Sequence, residues 1–186
     1  RPIKRPSLPK ASSSAWAKTP LDAFILKNLE AAKIPPPATA DRRTLLRRVT
    51  YDLTGLPPTP QEVTAFLQDK SPHAYEKVVE RLLQSPHYGE QWGRHWLDVV
   101  RYADTAGENT DHPLPHAWRY RNWVIDAVNA DMPFDRFVLE QLAGDCLPFT
   151  SIEQRDRQRI AAGFLVVGPK VLLGNDAKKQ RMEVAD

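Results

Sequence analysis

The chain has 186 residues, of which 41% are hydrophobic and 26% charged, a balance typical of globular domains and unlike that of a disordered or membrane-embedded chain. Taking 23 acidic from 26 basic residues leaves a formal charge of +3, too small to point to nucleic acid unless the excess gathers on one face. Cys146 is the only cysteine, so an internal disulfide is excluded and a zinc site would need His and carboxylates. The length fits one domain that buries roughly two-thirds of its unfolded surface, and no apolar run is long enough to span a membrane.

Residues 1–18 contain Arg1-Pro2, Arg5-Pro6, Leu8-Pro9-Lys10 and Ser12-Ser13-Ser14. That composition predicts an extended Pro-rich linker. With no initiator Met and no signal segment at Arg1, the chain reads as a piece of something longer. A single helical domain is expected over 19–186, truncated at its C-terminal side.

Seventeen prolines against eight glycines exceed the roughly nine prolines an average chain of this length would carry. The excess is explained by helix starts: Thr19-Pro20, Thr59-Pro60, Ser71-Pro72 and Ser85-Pro86 each set a capping hydroxyl before a Pro that suits the first helical position. Thr59 and Glu62 have capping-box spacing. Leu21, Ile25 and Leu29 mark a first helix; Leu45, Leu46 and Val49 a second, capped by Asp41; Val63, Phe66 and Leu67 a third. Tyr75, Val78, Val79, Leu82 and Leu83 form one apolar stripe.

A longer helix is expected from about Tyr88 to Ala103, then others over Trp118 to Val128 and Pro133 to Ala143, the last stopped by Gly144. Ile160, Ala161, Phe164 and Leu165 give a final stripe before Gly168-Pro169. Beyond it lie a short apolar run over 171–173 and a helix-compatible segment over 178–186. No segment alternates as a strand should, so the expected fold is mainly α, a compact orthogonal array of about seven or eight helices.

Gly-x-Ser-x-Gly, phosphate-loop, His-Glu-x-x-His and paired-Cys signatures are all missing, which disfavours hydrolase and nucleotide chemistry. Four of the five tryptophans instead cluster in 92–104 and 118–123. There His95, Asp98 and Tyr102 fall on one ridge, beside a second formed by Trp92, Trp96 and Val99. A functional reading makes His95 a general acid/base or ligand oriented by Asp98. The structural reading, favoured because ion-pair networks are common, buries an Asp98–Arg101 pair and makes His95 a satisfied core residue. Trp92, Trp96, Trp118 and Trp123 are read as core, since large aromatics dominate burial.

The connection over 105–115 has little apolar anchoring. Asp104, Glu108, Asp111, His112 and His116 offer metal-ligating atoms, but their spacing matches no calcium or zinc template and no metal site is assigned. Arg119-Tyr120-Arg121 and Arg42-Arg43 with Arg47-Arg48 are the basic clusters, suited to phosphate, sulfate or carboxylate. Aromatic residues do not interleave them as single-strand readers require, so nucleic acid is not expected. Cys146 is read as a small hydrophobic residue and not a nucleophile.

Taken together, the strings Asp41-Arg42-Arg43-Thr44-Leu45, Asp52 to Pro60, Tyr88-Gly89-Glu90, His95-Trp96-Leu97-Asp98, Arg101-Tyr102-Ala103-Asp104, Ala117 to Arg121 and Glu140 to Asp145 resemble the domain of unknown function that accompanies cytochrome c-like domains in large planctomycete-type proteins. The resemblance runs from about Thr19 and implies a periplasmic or extracellular multidomain c-type cytochrome-like parent, with a role in electron transfer. It implies c-type haem in that parent and neighbouring cytochrome c-like domains as partners. The chain stops before the family's Cys-x-x-Cys-His, and with Cys146 alone no haem can be attached covalently within these residues.

The resemblance supplies no catalytic residue set. His95, Asp98 and Asp104 are therefore candidates by chemistry for catalysis, and Arg101, Arg119, Tyr120, Arg121 and Asp145 for ligand or partner binding. The leading expectation is a haem-supporting or interaction domain in which Arg119 or Arg121 pairs with haem propionates and His95 lies near the iron. The alternative is an enzyme or binding module acting on acidic polysaccharide.

Overall fold

The computed structural model describes residues 4–9, 16–106 and 112–168. The segments expected over 171–173 and 178–186, and Glu108 and Asp111 of the connection, lie outside the described residues. Those described form eight α-helices and two 3₁₀ helices, with no strand among them beyond one bridge between Thr105 and Pro113. The protein is all-α. The chain forms two compact units, Arg1–Asp41 and Arg42–Asp186.

The first unit holds α1 (Pro20–Ala31). The Asp22 carboxylate accepts from Thr19 N at 2.8 Å and from Lys18 N at 3.0 Å, while Asp22 N donates back to Thr19 Oγ1. This is a capping box closed by Asp in place of Glu. The Thr19 backbone bond leads the causes that hold the Asp22 carboxyl below its usual range. Leu21 and Ile25, expected on the buried stripe, are exposed; Leu26 is the buried residue. Within this unit the described residues include no second helix to cover the wider stripe.

The second unit contains α2 (Arg42–Thr54), α3 (Pro60–Gln68), α4 (Ala74–Leu83), α5 (Pro86–Val99), α6 (Ala117–Asn129), α7 (Phe134–Ala143) and α8 (Ile152–Ala161). Short 3₁₀ helices follow α7 at Gly144–Cys146 and α8 at Ala162–Val166. Two apolar clusters share the work. Leu46, Phe66, Ala74, Val78 and Leu82 tie α2, α3 and α4 together, and Tyr120, Trp123, Val124, Ala127, Phe137 and Ala161 tie α6, α7 and α8. Fully burying each large aliphatic side chain contributes about 1.5–3 kcal/mol.

The helix between the two clusters is α5, which packs on α2 on one side and on α6 on the other. Gly89 permits the second approach. A Cβ on Gly89 would stand 2.5 Å from the Ile125 carbonyl oxygen, whereas one on Gly93 would make ordinary contact with the Ile125 side chain at 3.4 Å. Asn129 locks the same junction, accepting from Gly89 N at 2.8 Å and donating to Pro86 O at 3.1 Å.

Arg42 belongs to the scaffold. Its guanidinium donates to Phe66 O, and to Asp69 O at 2.8 Å, satisfying carbonyls at the end of α3, and lies 4.1 Å from the Phe66 ring.

Two helix boundaries differ from expectation. Ser71-Pro72 does not start α4, because Asp69 Oδ1 accepts from Ser71 N at 2.8 Å and Ser71 O accepts from Ala74 N, forming a turn that delays the helix to Ala74. The helix expected to reach Ala103 ends at Val99. There Tyr102 N donates to Leu97 O and Arg101 N to Asp98 O around Arg101 at φ 57°, a Schellman ending of the kind usually built on Gly.

Gly144 supplies a test of packing. A Cβ there would overlap the Gln158 carbonyl oxygen, a backbone atom that cannot swing aside. Gly144→Ala should lower unfolding stability by about 2 kcal/mol. Gly163→Ala, whose Cβ would make ordinary contact with Tyr120 at 3.5 Å, should shift it by less than about 0.5 kcal/mol. Urea titrations of the two variants check the contrast, and equal midpoints would contradict it.

Candidate functional site

The Schellman turn at Arg101 redirects the chain across the start of α6. Asp104 is placed to accept from the Tyr102 hydroxyl and to pair with Arg121 Nη1 at 3.4 Å. Burial, then the adjacent Asp104, raise the Tyr102 phenol well above its usual range. Behind this exposed cluster is a largely buried one. Trp96 Nε1 donates to Tyr120 Oη at 2.9 Å and to Gln141 Oε1 at 3.1 Å, and Tyr120 Oη donates to Gln141 Oε1 at 2.5 Å. Gln141 is held in turn through its Nε2 to Phe137 O at 3.0 Å. Burial pushes the Tyr120 phenol up to about 12, against the opposing effect of the Trp96 donor.

Tyr120 also forms part of the wall of a pocket of about 370 Å³ between the turn after α5, the start of α6 and the 3₁₀ segment after α8. Leu114, Ile160, Val166 and Val167 make it apolar, and Arg119, Arg159 and His116 bring nitrogen-bearing side chains to it. Arg119 lies 5.7 Å from the Trp118 ring. Among the described residues neither Arg119 nor Arg159 forms an ion pair.

A second, wider cleft of about 810 Å³ opens between α2, α4 and α5, and it contains His95. His95 is exposed and meets Trp92 edge-on, with centroids 5.4 Å apart. The structure therefore overturns the core reading of His95. It also overturns the buried Asp98–Arg101 pair: both side chains are exposed, and no ion pair joins them among the described residues. The physical reason is the early helix end, which puts Arg101 in a left-handed turn and off the α5 ridge that carries Asp98.

The tryptophans divide likewise. Trp123 is buried and Trp96 half-buried, but Trp92 and Trp118 are 41% and 45% exposed. Asp145 and Cys146 are exposed in the 3₁₀ turn after α7.

The structure thus gathers Tyr102, Asp104, Arg119, Tyr120 and Arg121 at the start of α6, while His95 borders a different cleft. Sequence reasoning missed Arg159, which no motif marks. It also missed Gln141, whose only signal is an uncharged polar residue at a buried helical position beside Glu140. No group of three or more metal-ligating side chains occurs among the described residues, and no described helix is long and apolar enough to cross a membrane.

The chain belongs to the family PSCyt2, protein of unknown function (DUF1549), whose model matches residues 20–186. No curated protein and no solved structure matches it.

The raised Tyr120 phenol gives a pH signature. Because the folded state favours the neutral phenol, its contribution is present below the unfolded value near 10 and is lost as pH rises through about 12. Urea midpoints should fall between pH 10 and 12, and Tyr120→Phe should lower the unfolding free energy at neutral pH by about 1 kcal/mol while flattening the alkaline decline. An unchanged alkaline slope in the variant would contradict this assignment.

Proposed function

We propose that this chain is a non-catalytic interaction domain whose pocket at the start of α6 receives an apolar group with a carboxylate edge. The observation that carries the reading is an apolar wall flanked by two guanidiniums, Arg119 and Arg159, without acidic partners among the described residues. Against low-dielectric walls a guanidinium holds a carboxylate more strongly than it does in open water. Its planar fork suits two-point contact.

The resemblance to cytochrome-associated domains supplies the setting: an exported, multidomain c-type cytochrome-like protein in the periplasm or outside the cell. The occupant is then the propionate edge of a haem carried by a neighbouring domain. The residues fit that edge and not a covalent haem, since Cys146 stands alone and the pocket admits a rim of a tetrapyrrole and not its whole body. Arg119 and Arg159 would hold the carboxylates, and Leu114, Ile160 and Val167 the ring margin. The haem supplies the redox chemistry of the parent. This domain supports electron transfer by fixing where the haem sits, with the Tyr102–Asp104–Arg121 cluster bracing the pocket's outer wall.

Titration with metal-free protoporphyrin, followed by its fluorescence, tests the reading. Saturable binding should weaken about tenfold in Arg119→Ala and again in Arg159→Ala, and should be lost on esterifying the two carboxylates. Absence of saturation, or equal binding of the ester, would overturn it.

A further inference from the structure

The cleft between α2, α4 and α5 is built differently. Tyr51, Tyr75 and Trp92 come from three separate helices, are 40%, 40% and 41% exposed, and all line this one cleft. Scattered single aromatics on a surface are ordinary; three converging on one concavity mark a binding site. On α4 the contrast is sharp: Val78 and Leu82 of the same apolar stripe are buried in the core, while Tyr75 is left at the cleft.

Charge is placed among these rings. Arg47 lies 5.1 Å from the Tyr51 ring centroid, and Arg48 lines the same cleft. Neither forms an ion pair among the described residues. Asp52, one turn along α2 from Arg48, and Gln91 on α5 add a carboxylate and an amide.

We infer that this cleft binds an acidic oligosaccharide, one whose sugar rings carry carboxylates beside free hydroxyls. Aromatic faces pack against the C–H faces of pyranose rings, and guanidiniums hold carboxylates. Asp52 accepts from hydroxyls and Gln91 can accept or donate. The same Asp52 disfavours a nucleic-acid strand, whose phosphates it repels and which offers few hydroxyl donors. The site is separate from the pocket at the start of α6 and does not depend on its occupant.

A hexamer of galacturonic acid titrated calorimetrically into the chain tests the inference. Saturable binding is expected, weakened about tenfold by each of Trp92→Ala, Tyr75→Ala and Arg47→Ala and unchanged by Arg119→Ala. The three cleft variants lie on different helices and have exposed side chains, and thermal unfolding checks each fold. Neutral cellohexaose should bind at least about tenfold more weakly. The inference fails if the galacturonate hexamer does not saturate, if the cleft variants bind as the parent does, or if an oligothymidylate of equal length binds more tightly.

Discussion

The close approach of α5 to α6 at Gly89 is the constraint on which the second unit depends. With no Cβ at that position the two backbones come near enough for Asn129 to bridge Gly89 N and Pro86 O. Trp96 can then reach across to Tyr120 and Gln141. Three polar groups that would each be costly to bury alone satisfy one another there. Once that face is committed to α6, helical geometry turns Trp92 and His95 toward α2 and α4, and the early end of α5 sends Tyr102 and Asp104 over the start of α6. Two surfaces of different chemistry therefore follow from one helix contact.

Those surfaces divide the residues by what surrounds them. At the start of α6 the walls are aliphatic, with guanidiniums beside them, a setting for a ligand with an apolar body and an anionic margin. Between α2, α4 and α5 the walls are aromatic and the polar groups lie among the rings, a setting for a hydrated, hydroxyl-bearing ligand. His95 belongs to the second and Arg119 to the first, so an arrangement in which a single ligand touches both is not what these pockets provide.

Much of the fold was legible because local chemistry decides it. Thr19, Thr59 and Ser85 before prolines start helices as the capping rule requires, and the Val78 and Leu82 stripe is buried as its spacing demands. Helix ends were less legible, since Lys33, Arg101 and Asp131 take left-handed conformations with no Gly to announce them. The site was legible only in part. Arg119, Tyr120 and Arg121 are consecutive in sequence, whereas Asp104 meets Arg121 and Arg159 reaches the pocket from α8 only through tertiary packing. Residue type also misled: Trp92, Trp118 and Trp123 look alike in a string, and only the helix face each occupies decides whether it is sealed or open.

Hydrogen exchange at the indole N–H groups, followed by NMR on the uniformly labelled chain, tests this division most directly. The account requires slow exchange at Trp96 and Trp123 and rapid exchange with solvent at Trp92 and Trp118. Protection of all four would mean that these indoles serve only the interior, and it would remove the aromatic cleft between α2, α4 and α5 that Trp92 lines.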